Sequence, residues 1–223
     1  MIYMNSKAQV DIISAVIIIA IAIGLTATAY SWGIPLIQKR QHEALAERVH
    51  IAFDQNKISS LPSKIESIAK APGAEETFTL DVDGAWILCP SDSSNPYCGA
   101  VNNSIEFTFL SKASRVAVGQ WSSLTPGGNC IPPISSGILG LDRSSVVCAR
   151  ADVVGDVYNI TYRIYFRELF EEGANRGYKI NLIKDPRGSL NSTGKTIRIS
   201  RGDVRTETIG AKTLIITEIK ILL

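Results

Sequence analysis

Histidine is almost missing from this 223-residue sequence, with His42 and His50 the only two. They lie eight positions apart in a charged segment, where a solvated helix face accounts for them better than a ligand pair. Cysteine is scarce too: Cys89, Cys98, Cys130 and Cys148 contain no closely spaced pair of the kind that binds zinc, and no histidine lies near them. No metal and no cofactor is therefore expected. The net charge is only +2, without a basic excess that would predict a nucleic-acid partner. No internal repeat is present. Catalytic motifs are lacking as well. Residues 188–196 end in Gly194-Lys195-Thr196, but five residues separate Gly188 from Gly194 where a phosphate loop needs four, so a β-turn is the sounder reading. Glu171-Glu172 falls in a polar loop, and Arg201-Gly202-Asp203 reads as a turn between strands. No catalytic residue is assigned, and the chain is not expected to be an enzyme.

The most informative absence is local. From Ile12 to Ile37 there is no Asp, Glu, Lys, Arg or His. As a helix at 1.5 Å per residue this run reaches about 39 Å, against a bilayer core of about 30 Å. Three readings of it compete. A secretory signal peptide would be cut after Ala27-Thr28-Ala29. An uncleaved signal anchor would tether the downstream domain outside. A leader cut ahead of the run would leave the apolar helix in the mature protein.

The third reading has residues behind it. Lys7-Ala8-Gln9 sets a basic residue, a small residue and a glutamine immediately before the apolar helix. This resembles the class III (prepilin-type) signal peptide of archaeal type IV pilins and archaellins, cut between Ala8 and Gln9. Ile12-Ile13-Ser14-Ala15-Val16-Ile17 and Ala29-Tyr30-Ser31-Trp32 resemble archaeal pilin N-termini. So does the link Ile65-Glu66-Ser67-Ile68-Ala69, a Gly-containing turn and Thr77-Phe78-Thr79-Leu80. The likeness covers about the first third of the chain. Many pilins carry a glutamate a few residues into the mature helix; here Ile13 stands at that place and the acid is Asp11, which favours the archaeal over the bacterial type. The resemblance implies a prepilin peptidase that removes residues 1–8, then an assembly ATPase and a membrane platform protein that lift the subunit out of the bilayer. It also implies a homo-oligomeric helical filament, with Ile12, Ile13, Val16, Ile19, Ile23, Tyr30 and Trp32 in its core.

Beyond the run, residues 9–54 read as one long helix, kinked at Pro35 and weakened by Gly33. Ala44, Leu45, Val49 and Ala52 fall near one face. Residues 55–73 read as a short helical connector with Ile58, Leu61, Ile65 and Ile68 on its apolar face, Pro62 in its first turn and Ala71-Pro72-Gly73 ending it. That face is expected to pack on the chain's own β domain.

From residue 74 the periodicity changes to two. Strands are expected at 77–82, 85–89, 104–110, 116–121, 146–154, 157–169, 178–183, 196–200 and 213–222, separated by Gly, Pro, Asn and Ser clusters. Along 159–167, Ile160, Tyr162, Ile164 and Phe166 point one way, and Asn159, Thr161, Arg163, Tyr165 and Arg167 the other. The expected fold is α+β: a long N-terminal apolar helix, then an all-β C-terminal domain, sandwich or barrel-like. The even cysteine count there favours two disulfides, Cys89–Cys98 and Cys130–Cys148. Sequons at Asn102, Asn159 and Asn191 are glycosylation candidates, with Asn102 and Asn191 expected in loops and Asn159 on an outward strand face. Cysteines and sequons mark residues 74–223 as exterior. Lys39 and Arg40 after the run, against Lys7 before it, argue for the opposite orientation. The exterior markers outweigh them here. The chain is thus expected to be a filament subunit at the cell surface, only transiently in the membrane. The alternative is a membrane-anchored or secreted β-sandwich that binds a ligand or surface.

Overall fold

A computed structural model of the chain describes residues 6–91, 98, 101–210 and 212–223 and, among these, the side chains of all but 6–12 and 209. It has the α+β layout expected: one long apolar helix near the N-terminus, then twelve strands in two sheets. The chain divides into a first unit up to His42 and a second from Glu43 to Leu223.

Helix α1 spans Ser6–Phe53 and passes through Pro35. Lys7, Ala8 and Gln9, the residues of the expected cut, lie within its described length. Helix α2, Leu61–Lys70, has Pro62 in its first turn and stops at Ala71, with Gly73 at φ 69° just beyond. Leu61, Ile65 and Ile68 are buried as the periodicity requires. Ile58 is 92% exposed, because it lies in the turn before α2 and not on its face. The seam of α1 within the second unit is Ala46, Val49 and Phe53 with Leu45 and Ala52 at its margins; Ala44 is exposed.

The strands are β1 Glu75–Thr79, β2 Ala85–Cys89, β3 Ser104–Ser111, β4 Ser122–Ser123, β5 Gly137–Ile138, β6 Ser145–Val154, β7 Val157–Phe166, β8 Leu169–Phe170, β9 Arg176–Lys184, β10 Asn191–Ser192, β11 Thr196–Ile209 and β12 Lys212–Leu222. One sheet has the order β1-β11-β12-β9-β8-β5, the other β10-β2-β3-β7-β6-β4. Most neighbours are antiparallel, but β12 lies parallel to β9. The common core takes Trp86, Phe107, Tyr162 and Ile164 from the second sheet, Leu182, Ile197, Ile199 and Ile219 from the first, and Phe53, Leu61 and Ile65 from the helices. Phe53 is central, its ring 5.0 Å from Tyr162 and 6.1 Å from Trp86.

Several expected strands differ. Residues 116–121 contribute only a single bridge, Val118 with Ala151, and the strand there is the two-residue β4. The expected strand 157–169 ends at Phe166, and Leu169 begins β8. The expected strand 196–200 runs on to Ile209. Arg201-Gly202-Asp203 is no turn between strands but a β-bulge inside β11, since Arg201 faces Ile219 and Val204 faces Thr217. Glycine suits it, because a Cβ on Gly202 would stand 3.1 Å from that of Glu218.

The alternation in β7 holds, but its second face is not solvent. Arg163 and Tyr165 are buried under the irregular stretch 112–144. Tyr165 joins a small second cluster with Val101, Cys130, Val146 and Cys148. The Cys130–Cys148 bridge clips this stretch to β6. Closing a loop of that size restricts the unfolded chain and is worth about 3 kcal/mol.

Candidate functional site

In the first unit the candidate surface is the apolar helix itself. Ile13–Phe53 contains a stretch long and apolar enough to cross a membrane, with mean hydropathy 2.2 and nothing in that stretch buried. Ile13, Val16, Ile19, Ile23, Tyr30 and Trp32 are all exposed, from 58% at Ile19 to 80% at Trp32. Ile17, Ile18, Ile21 and Leu25 are equally open, so the apolar surface encircles the helix and leaves no polar face. The hydroxyls in the run are met inside the helix. Thr26 donates to the Ala22 carbonyl at 2.8 Å, Thr28 to Gly24 at 2.8 Å and Ser31 to Thr28 at 3.0 Å. The helix can thus enter an apolar medium without carrying these donors in unsatisfied. Of the expected leader, Met1–Asn5 lie outside the described residues; Lys7, Ala8, Gln9 and Ile12 are helical, and their side chains lie outside the described ones.

In the second unit, both disulfides expected from the sequence are present, Cys89–Cys98 and Cys130–Cys148. Asn102 is exposed outside any strand. Ser104 of the same sequon is buried and donates to the Val101 carbonyl at 2.9 Å. Asn159 is half-buried in β7 between Leu110 and Asp152. Asn191 is exposed but not in a loop: it lies in β10, paired with Ile87. Short edge pairing of this kind leaves no hydrophobic alternation to read.

The histidines are not on a solvated face. Both are half-buried, and His50 Nδ1 lies 3.4 Å from the Tyr162 hydroxyl. Burial pushes the Tyr162 phenol up to about 12, with Arg115 opposing and Glu47 adding slightly. A cavity of about 580 Å³ beside His50 is lined by Asp54, Gln55, Asp142 and Arg143 among others. Its polar side chains are engaged within the fold. Gln55 donates to the Ser145 carbonyl at 2.6 Å, Asp142 pairs with Arg167 at 3.2 Å, and Arg143 lies 3.8 Å from Glu66. Among the described residues no group of three or more His, Cys, Asp or Glu side chains could hold a metal.

Three polar devices have no local signature in the sequence. Glu66 on α2 accepts from Ser144 Oγ at 2.8 Å, Ser145 N at 3.0 Å and Ser145 Oγ at 2.6 Å, tying α2 to the start of β6. Glu106 on β3 meets Arg163 on β7 at 2.7 Å; both are buried, and the Arg163 guanidinium stacks 4.1 Å from the Trp121 ring centre. Their facing register is the signal that could have revealed them, once β3 and β7 were known to pair. Asn103, at φ 58°, donates to the Phe166 and Ile180 carbonyls at 3.0 and 2.7 Å and accepts from Leu182 N at 2.7 Å. It joins the edge of β9 to the end of β7. Near the exposed surface, Arg187 holds the Asp185 carboxyl down to about 2 through side-chain and backbone hydrogen bonds. Lys195 pairs with Asp81 at 2.7 Å and Asp83 at 3.2 Å.

Comparison with protein-family models, with curated proteins and with solved structures finds no match for this chain.

Proposed function

We propose that this chain is a structural subunit of an extracellular type IV pilus-like filament, with the apolar helix in the filament core and the β domain as its outer wall. One observation carries the reading: large apolar side chains stand exposed around the whole of helix α1 between Ile13 and Ile37, in a chain whose second unit has its own core. Such a helix needs either lipid or copies of itself. In lipid, helices gain little from apolar burial alone, so close packing must hold them together. Outside the bilayer, burial is worth about 25 cal/mol per Å² of apolar surface. Repeating one head-to-tail contact that does not close gives a helical filament. Lys7-Ala8-Gln9 supplies the cut that frees the helix for this use, and a prepilin peptidase, an assembly ATPase and a platform protein are the implied partners. The two disulfides fit an oxidising exterior. Asn102 and Asn191, both exposed, are the favoured glycan positions.

The test is the N-terminal residue of the mature protein together with its sedimentation after shearing from cells. Gln9 in sheared, high-molecular-weight filaments is the expected result. A start at Tyr30 would overturn it in favour of a secreted binding domain. Intact Met1, tethered without filaments, would overturn it in favour of a membrane-anchored one.

A further inference from the structure

Strand β11 is covered along only part of its outer edge. Its first five residues, Thr196–Ser200, pair with β1, and beyond the bulge the outer edge of Val204–Thr208 has no neighbouring strand among the described residues. All five residues are exposed, including Val204 at 49%. An unpaired edge of this length is a template for another strand. Its own sequence says which strand. Laid antiparallel on itself and centred on Thr206, the segment sets Val204 opposite Thr208 and Arg205 opposite Glu207. Both sets recur across the two-fold. Any other in-plane register breaks both charge pairs at once. Arg205 also lies 3.6 Å from Glu218 on the neighbouring β12, so each guanidinium would sit between a carboxylate of its own chain and one of the other copy.

We propose that the β11 edge, Val204–Thr208, is a self-complementary docking site for the same edge of a second copy of this chain, joined by antiparallel strand pairing with reciprocal Arg205–Glu207 contacts. Five paired residues per copy lie well below the area of stable complexes, which makes the contact weak and dependent on high local concentration. It is also isologous. In a filament whose subunits all point one way, a two-fold contact cannot join neighbours along the filament. It joins copies from oppositely directed filaments, or unassembled subunits. The inference is therefore independent of the filament reading, since a chain that never polymerised would keep the same edge.

The test uses the full chain in detergent micelles. All four native cysteines are in disulfides, so one introduced thiol reports alone. Thr206→Cys places two thiols on opposed residues about 5 Å apart at Cα, within disulfide reach, whereas Thr208→Cys places them about 14 Å apart. Mild oxidation should link Thr206→Cys chains at least about tenfold faster than Thr208→Cys chains. Equal rates, or no linking at 206, would overturn the proposal. Charge reversal gives the second arm. In the Thr206→Cys background, Arg205→Glu and Glu207→Arg should each slow linking about tenfold, because like charges then face each other twice. An equimolar mixture of the two restores both opposite pairs, so hybrid dimers should form at the parent rate. A mixture no faster than either variant alone would overturn the register. All four positions are exposed, and an unchanged circular dichroism spectrum verifies folding in each variant. Filament yield is scored separately, so loss of filaments with linking intact counts against the filament reading alone.

Discussion

Isoleucine stands open along the apolar run of the first unit and is mostly buried in the strands of the second. Along residues 13–37 Ile13, Ile17, Ile18, Ile19, Ile21 and Ile23 all stand open, while in the second unit Ile65, Ile105, Ile164, Ile197 and Ile219 are fully buried. The residue is the same; the company differs. In α2 and the strands, apolar positions fall on faces that the chain itself covers, the common core on one side and, for β6 and β7, the small second cluster on the other. In the apolar run they recur on every side, and no single contact within the chain could cover them. The second unit therefore has a core of its own, whereas the apolar run of the first stands open.

The sharpest way to break this contrast is a charge in the open helix. Ile19→Asp should abolish filaments while leaving the β domain folded. An unpaired carboxylate at the centre of a membrane or helical core costs about 3 kcal/mol, repeated in every copy. Electron microscopy of sheared material and circular dichroism of the extracted chain read the two halves of that expectation. Normal filaments from the variant would mean that this helix is not in a filament core.

The converse experiment places damage in the finished unit. Glu106→Ala leaves the Arg163 guanidinium buried beneath Trp121 without its carboxylate. Removing one partner of a buried pair costs about 3–5 kcal/mol, so the unfolding free energy from denaturant titration should fall by that amount. A loss below about 1 kcal/mol would place the pair in solvent.

A smaller effect sharpens the boundary of the core at His50 and Tyr162. The folded protein holds the Tyr162 proton up to about 12, above the ordinary value near 10, because burial disfavours the phenolate. The unfolded chain loses that proton first. This contribution to stability is thus whole below about pH 10 and is lost as pH rises through about 12. Tyr162→Phe should flatten part of the alkaline decline in thermal midpoint. An unchanged decline would assign it to other groups.

The same contrast explains what could be read in the sequence. The uncharged run, the change to period two at residue 74 and the paired cysteines are properties of neighbouring residues, and they survive without knowledge of the fold. Trp86, Phe107 and Ile164 lie where alternation places them. What sequence hid depends on distant pairing. Residues 116–121 alternate like a strand but lie beside β6 with only one bridge, because the stretch serves as a cover held by Cys130. Arg163 and Tyr165 alternate like outward residues, and nothing local reveals that a loop returns over them. The bulge at Gly202 looks like a turn in sequence because both use glycine, and only the facing Glu218 tells them apart.

The strand order carries one consequence for how the protein is made. Glu75 pairs with Ser200, and β12, last in chain order, lies between β11 and β9. No portion of the chain ahead of β12 can therefore finish this sheet. The opening strand β1 has to wait for its partner β11, and the closing of such long loops is slow. A chain threaded through a membrane would cross with its sheet still open. The domain would lock only after β12 had followed.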